Sequence, residues 1–530
     1  MDMYKDIELL YDSCRNADRI NRDNLIKILR DNSCTDFGKK YGFADISGIE
    51  EYQKKVPITD YSFYDELKKE PWKFTNYEVQ SFLTTSATLG RRKTFCLTTE
   101  SLKRYGGYIY EMPYVLTNSF SGPHLHTSVF RMEKDKSTIL SCAYYDYLEK
   151  ERLLDCEQFV GGKELMFSNK AEDMVYIKAW LALGCAQLKS IQSIFLYDVL
   201  IVVQYILDNY KQLLADMRAG SIRADIDLKA KKKLLEYIPD SERMDEIEGL
   251  LSDNDSGSII RKLWKNIRFI SGIGGEAYRI TTDALKKYAG DIPIYYFSYS
   301  SSECMMGAAC KLNVSEYVLM PQCAFYEFLA KDGRVLTADK LCTGDEYELI
   351  ITTFSGLYRY KMDDIVRFVG YEKEAPIVQV IKKKGNMVNI AGEKLDEGTL
   401  QMAVYEVGKK LEININNFSV SVNMDDLPAA YRFYLETKDK TGIDRNYSDR
   451  DYNDRDYNDR NYIDGISECF DDVLRALSAD YDDIRKLGML RKPEVVLLKS
   501  GSIAGMLMSA DKHNKPKIIL DSKQVKLLDS

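Results

Sequence analysis

The stretch Thr352 to Tyr371, TTFSGLYRYKMDDIVRFVGY, constrains this chain more than any other. An aromatic run, Gly356-Leu357-Tyr358-Arg359-Tyr360, precedes a β-branched apolar run, Ile365-Val366-Arg367-Phe368-Val369, and both have strand composition. Lys361-Met362-Asp363-Asp364 lies between them, so the pattern predicts two strands joined by a polar turn. Two adjacent carboxylates cannot both be buried cheaply. Either they tip a solvated hairpin, or they accept hydrogen bonds from a pair of ligand hydroxyls such as a ribose diol.

The surrounding chain is too long for one ordinary core, since 530 residues imply two or more domains. With 45% hydrophobic and 29% charged residues it has a globular composition, and no run is long and apolar enough for a bilayer span. A net charge of -8 argues against general nucleic-acid or anionic-membrane binding. Eleven scattered cysteines without a CxxC fit reduced thiols, and the acidic amino terminus is unlike a secretory signal, so a cytoplasmic location is expected.

Residues 1–60 read as helices, ending at the breaker Val56-Pro57-Ile58-Thr59-Asp60. A helix is expected over 99–116 with Thr99 or Ser101 as its cap, and two more from Met174 to Gly184 and from about Leu196 to Arg218. Strand Ile267–Ile270, glycines 272, 274 and 275, a helix over 276–288 and strand Ile292–Phe297 make a parallel α/β unit, with ligand at the carboxyl ends of its strands. Residues 310–370 read as largely β. The chain is expected to leave this body near 372–376, giving an amino-terminal domain of 1–371 and a small α+β carboxyl-terminal domain of 372–530. Arg445 to Asp464 repeats with period five, which matches neither helix nor strand, and reads as a polar loop insertion.

Several familiar catalytic devices are missing. There is no GxSxG elbow and no Walker lysine, and His124-x-His126 has no third ligand to support a metal. What remains is a hydroxyl-rich loop, Thr84-Thr85-Ser86-Ala87-Thr88-Leu89-Gly90, followed by Arg91, Arg92 and Lys93. Such a loop can wrap a phosphate with N–H and O–H donors while the cations supply charge, or it can be an ordinary polar loop. Tyr299-Ser300-Ser301-Ser302-Glu303 sets an aromatic face, three hydroxyls and a carboxylate at the end of a sheet strand, which suits a stacked purine and a nearby Mg²⁺.

The three segments, in this order, resemble the signatures of adenylate-forming enzymes, the firefly-luciferase-like superfamily. More closely, the chain resembles the auxin-responsive acyl acid amido synthetases and their bacterial relatives. Tyr299-Ser300-Ser301-Ser302-Glu303-Cys304-Met305-Met306-Gly307 is similar to the family's Y-A-S-S-E-C-x-x-G, and Thr352-Thr353-Phe354-Ser355-Gly356-Leu357-Tyr358-Arg359-Tyr360 to T-T-Y-x-G-L-Y-R-Y. Leu263-Trp264, Gly392-Glu393-Lys394 and Gly501-Ser502-Ile503 extend the likeness over most of the chain. The resemblance implies an α/β fold: a large amino-terminal domain of mixed sheets and helices, and a small mobile α+β domain. It also implies an enzyme that activates a carboxylic acid with ATP and Mg²⁺ and passes the acyl group to an amine such as an amino acid.

By the same resemblance Asp364 takes the ribose hydroxyls and Tyr299 the adenine. Thr85, Ser86 and Thr88 line the phosphates, with Ser302 beside the nucleotide and Glu303 near the metal. Lys394 and Lys515 are the reacting lysines of the carboxyl-terminal domain. The tyrosines at 105, 108, 110 and 114, with the 196–207 helix, either line the acyl pocket or pack the core. The chain departs from the family's S-S-G-T-x-x-G-x-x-K, because no glycine stands at 86 or 87, and a positive φ there would cost on the order of 1 kcal/mol. Asp363 in place of the family's glycine adds a charge near the polyphosphate. Transfer to a thiol such as coenzyme A, or non-catalytic binding, are the alternatives.

Overall fold

The computed structural model describes residues 4–85, 93–128 apart from 107, 120 and 121, short stretches between 137 and 166, 173–383 apart from 254, 387–437, 452–498 and scattered residues from 502 to 528. These fall into two compact units, the first running to the end of the strand that closes at Lys383 and the second beginning with Met387.

In the first unit, helices Tyr4–Arg15, Ala17–Asp31, Asp36–Tyr41 and Ile49–Lys55 precede the sheets. The expected 99–116 helix is instead two, Thr99–Tyr105 and Tyr108–Thr117, broken where Gly106 takes φ 66°. Thr98 caps the first, accepting from the Ser101 N–H. The parallel α/β unit is present. Strands His124–His126, Ser190–Phe195, Phe269–Ile273 and Ile294–Tyr295 pair in that order, all parallel. Helices Met174–Gly184, Leu196–Ala219 and Arg279–Ala289 are the connections expected for parallel strands.

The other large sheet has eight strands in the order 335–336, 324–329, 346–353, 360–372, 375–383, 317–319, 305–309 and 298–300, all antiparallel. Here the structure corrects two readings. Tyr360–Glu372 is one continuous strand whose hairpin partner is Ala375–Lys383, so the Asp363-Asp364 pair is not a hairpin tip. The earlier run, Gly356 to Arg359, is not a strand but the turn after Glu346–Thr353. Because Ala375–Lys383 is held by strands on both sides, the first unit extends past the expected boundary at 371/372.

In the second unit, hairpin Met387–Val388 with Leu395–Asp396 leads into helix Glu397–Lys410. Strands Ile415–Asn423, Ala430–Thr437 and Glu494–Leu498 form a sheet covered by helix Tyr452–Leu477. The period-five segment is therefore helical from residue 452 onward, and its earlier part lies outside the described residues. Ile466, Phe470, Val473 and Leu474 are buried, with Phe470 stacked on Phe433 at 4.2 Å. Once that amphipathic half is docked, extending the helix backwards costs little even for a polar repeat. No described helix is long and apolar enough to cross a membrane.

Candidate functional site

The turn after Glu346–Thr353 is made of core side chains. Tyr358 is fully buried, donates from its phenol to the Phe74 carbonyl (2.6 Å), and stacks on Phe37 at 4.8 Å. Gly356 has φ 86°, and a Cβ there would lie 3.2 Å from the Phe74 carbonyl oxygen, so a side chain at this turn would be both strained and crowded. Arg359, with φ 46°, is also buried. Its Nε donates to Glu327 Oε2 (3.1 Å) and its Nη1 to the carbonyls of Gln53 (2.9 Å) and Val56 (2.8 Å). Thr59, from the predicted breaker, bonds both Arg359 O and Lys361 N at 2.9 Å. The aromatic-arginine half of the segment thus clasps the amino-terminal helices to the sheet.

The carboxylate half is different. Along Tyr360–Glu372, Tyr360, Met362, Asp364, Val366 and Phe368 are the buried positions. Lys361 is opposite Ile350 while Ile365 is opposite Glu348, so four residue steps on one strand span two on its partner. Asp363, with φ 58°, occupies this bulge. Burial raises its carboxyl above the ordinary range against the pull of Lys361, Lys383 and Lys93. Asp364 points inward and is buried.

Two partners meet Asp364 there. Tyr299 donates to Oδ2 at 2.8 Å, and Lys383, its cross-strand neighbour, reaches Oδ1 at 3.0 Å. Strand Ser298–Ser300 is four strand steps from Tyr360–Glu372, which in a flat sheet would be about 19 Å. The 2.8 Å bond therefore reports strong coiling of the sheet, which brings its edge back over its middle. Burial pulls the Lys383 ammonium down, but Asp364 and Glu303 outweigh it and leave its pKa raised.

Tyr299 stands opposite Gly307, where a Cβ would be 3.0 Å from Tyr317 Cβ and 3.4 Å from Tyr299 Cβ, so the glycine makes room for the two rings. Ser301 N donates to Cys304 O at 3.0 Å and closes the turn that presents the buried Glu303. Ser301 Oγ is buried with no hydrogen-bond partner among the described residues. A buried hydroxyl left unsatisfied costs about 1–3 kcal/mol, and a ligand acceptor would relieve it.

Tyr299, Glu303 and Asp364 thus share one neighbourhood, with Ser302 half-buried in the same turn. Lys383 and Ser301 were not singled out from sequence. The Lys382-Lys383-Lys384 run was visible, but only strand register shows which lysine faces Asp364. Thr85 ends strand Val79–Thr85; its side chain, with Ser86, Thr88 and Lys515, lies outside the described residues. Lys394 belongs to the second unit, on the loop of its first hairpin. His124 and His126 are buried core residues. His124 Nδ1 is 2.9 Å from Ser190 Oγ, and burial lowers its pKa to about 4. Tyr105, Tyr108, Tyr110 and Tyr114 are all buried: Tyr108 accepts from Gln322 Nε2 (2.7 Å) and Tyr114 from Gln192 Nε2 (2.6 Å), as core residues do.

This architecture is the fold of adenylate-forming enzymes. The structure aligns with AtGH3.15 acyl acid amido synthetase in complex with 2,4-DB at TM-score 0.66 and 21% identity, covering 100% of this chain and 96% of that one. It aligns with 2-hydroxyisobutyryl-CoA ligase in complex with 2-HIB-AMP and CoA at TM-score 0.54 and 10% identity, covering 97% and 91%. The chain belongs to the GH3 family, matching its N-terminal domain over residues 6–294, its central domain over 317–383 and its C-terminal domain over 398–517. Among relatives, indole-3-acetic acid-amido synthetase GH3.2 of Arabidopsis thaliana is 26% identical over 443 residues, 76% of this chain and 80% of that protein. Indole-3-acetic acid-amido synthetase GH3.8 of Oryza sativa subsp. indica is 23% identical over 97% of this chain and 90% of its own length.

Proposed function

We propose that this protein is an ATP-dependent acyl acid amido synthetase. A carboxylate attacks the α-phosphorus of ATP, releasing pyrophosphate, and an amine then displaces AMP from the acyl-adenylate to give an amide. Adenylation is needed because a carboxylate is a poor electrophile with no good leaving group. The observation that supports this most is the meeting of Tyr299, Asp364, Lys383 and Glu303, with a buried, unsatisfied Ser301 hydroxyl in the turn that carries Glu303.

Asp364 has about four lone-pair positions; Tyr299 and Lys383 engage two, leaving two for a ribose diol. Those contacts also fix the carboxylate's orientation before ligand arrives, which lowers the entropic cost of binding. The Tyr299 ring takes the adenine and Ser302 borders the nucleotide. Thr85, Ser86 and Thr88 line the phosphates.

Among the described residues no group of three or more His, Cys, Asp or Glu could hold a metal alone. Glu303, a single buried carboxylate, suits Mg²⁺, which is commonly bound by one or two carboxylates plus substrate phosphates. When bound, the ion neutralises charge on the pyrophosphate. Lys394 and Lys515, on a mobile carboxyl-terminal domain, serve the two half-reactions in turn. The amine is an amino acid or similar small molecule, the protein acts in the cytoplasm, and neither nucleic acid nor membrane is a partner.

Acid-dependent exchange of labelled pyrophosphate into ATP, over a panel of aromatic and aliphatic acids, tests adenylation. Product analysis with amino acids and with coenzyme A then separates amide from thioester. Absence of exchange with every acid, and of ATP binding by calorimetry, would refute the proposal.

A further inference from the structure

The second unit opens with a hairpin whose loop, Asn389-Ile390-Ala391-Gly392-Glu393-Lys394, joins Met387–Val388 to Leu395–Asp396. Short loops are usually closed by their own backbone; this one is closed by a side chain. Glu393 is fully buried and turns its carboxylate back into the loop. Oε1 accepts from Ile390 N and Oε2 from Ala391 N, each at 2.8 Å. Two successive N–H groups converging on one anion form a concave nest, here occupied by the loop's own carboxylate. The Tyr431 phenol, from the three-stranded sheet, also donates to Oε1, tying the loop to the body of the unit. Asn389 Oδ1 accepts from Gly392 N at 2.8 Å. The next residue, Lys394, has φ 47°, a left-handed conformation that a lysine does not adopt without cost. Two residues later Asp396 caps helix Glu397–Lys410 by accepting from Thr399 N at 2.7 Å.

A buried carboxylate is an expensive way to close a short hairpin. Burial raises its proton affinity against the Tyr431 phenol and the loop's backbone N–H groups, which stabilise the anion. The arrangement ties down Ile390, Ala391 and Gly392 by their N–H groups, and the residue that follows Glu393 is the strained Lys394.

We propose that Glu393 is a positioning residue for Lys394. Its carboxylate locks the loop so that Lys394 is held in a single backbone conformation before it meets substrate, and Tyr431 anchors the lock. This rests on the reading of Lys394 as a reacting lysine of an amido synthetase.

The test compares wild type, Glu393→Gln, Tyr431→Phe, Lys394→Ala and the Glu393→Gln/Lys394→Ala double variant, all as full-length protein. Pyrophosphate exchange and amide formation are measured separately. Glutamine keeps the volume but turns an N–H donor toward N–H donors. In whichever half-reaction Lys394→Ala slows, Glu393→Gln is expected to lower kcat about 10- to 100-fold, with KM for ATP changed less than about twofold. Tyr431→Phe, which keeps both backbone bonds, falls between wild type and Glu393→Gln. In the Lys394→Ala background the glutamine adds less than about a twofold loss, because the pathway through the lysine is already gone.

Equal losses from Glu393→Gln with and without Lys394 would overturn the proposal in favour of a purely structural role. Wild-type rates in Glu393→Gln, or no effect of Lys394→Ala on either half-reaction, would also overturn it. Hydrogen exchange of the Ile390 and Ala391 amides supplies a readout independent of turnover: it is faster in Glu393→Gln, and unchanged exchange would refute the lock. If wild type activates no acid, the amido synthetase reading fails by its own assay, and the exchange result still decides whether the loop is locked.

Discussion

Replacing Arg359 with methionine tests whether the aromatic-arginine half of the segment is structural. Arg359 is nearly fully buried, and its partner Glu327 is 0% exposed. The substitution removes the Nε bond to Glu327 and the Nη1 bonds to the Gln53 and Val56 carbonyls, leaving Glu327, among the described residues, with the bond from Gln53 Nε2 at 2.9 Å. Breaking one side of a buried ion pair costs about 3–5 kcal/mol, because the surviving charge is stranded. That is about two to four powers of ten in the unfolding equilibrium. Trp180 and Trp264 are buried in the same unit, so tryptophan fluorescence during urea unfolding reads it directly. Adding Glu327→Leu should restore a large part of the loss, since the double variant strands no charge. Burial raises the Glu327 carboxyl even in the wild type, with Arg359 opposing. A carboxyl with a folded pKa above its unfolded one makes the native state bind the extra proton. Its stabilising contribution is full below the unfolded value and is lost as pH rises through the folded one. The deficit of Arg359→Met relative to wild type should therefore shrink on acidification. A loss below about 1 kcal/mol, or a double variant no more stable than the single one, would refute the reasoning.

Asp364→Asn should raise KM for ATP about 10- to 100-fold, the worth of charge-assisted hydrogen bonds to a diol, and should also lower the midpoint of thermal unfolding, because the Lys383 ammonium loses its carboxylate partner; an unchanged KM in steady-state kinetics would remove Asp364 from the nucleotide site. Gly356→Ala should cost about 1–3 kcal/mol in urea unfolding, because φ is 86° and the Phe74 carbonyl crowds the Cβ. Lys178 is buried, donates to Leu165 O at 3.1 Å, and burial lowers its pKa to about 7. The unfolded chain therefore binds more protons above that value, wild-type stability should rise with pH from about 7 toward the ordinary lysine range, and Lys178→Met should flatten that slope in denaturant midpoints measured across it.

The parallel unit was legible because each of its parts carries a local signal. Helix Met174–Gly184 begins and ends where its pattern does, and strand, helix and strand recur in the order read, with the strands at Phe269–Ile273 and Ile294–Tyr295. The motif strand was misread for a physical reason. Asp363-Asp364 after Lys361 is turn chemistry by local rules, and no local rule places a carboxylate at an inward position of a central strand. Only a tyrosine from 65 residues away and a lysine on the next strand make that position tenable. The polar repeat was misread likewise: its helical form depends on the apolar half downstream rather than on its own period.

Asp364 therefore explains two things at once. Its burial looks like a defect of the sheet until the bulge and the coiling are taken together. The bulge accommodates two extra residues and lets the strand keep its inward–outward alternation, which aims Asp364 inside. The coiling returns the edge strand to meet it, so the Tyr299 phenol and the Lys383 ammonium carry the desolvation that water would otherwise relieve. A carboxylate held this way has lost its rotamer freedom before any ligand is present, and still keeps lone pairs to offer. Polar groups buried at such expense in an otherwise apolar sheet are retained where their fixed direction matters, and here Lys383 feels the Glu303 carboxylate as well as that of Asp364. The same logic predicts that apolar replacement of Asp364 and Lys383 together would leave the sheet as stable as before or more so, and abolish nucleotide binding. Calorimetric titration with ATP beside thermal unfolding of the double variant would separate the two roles, and a less stable sheet that still bound ATP would contradict the assignment.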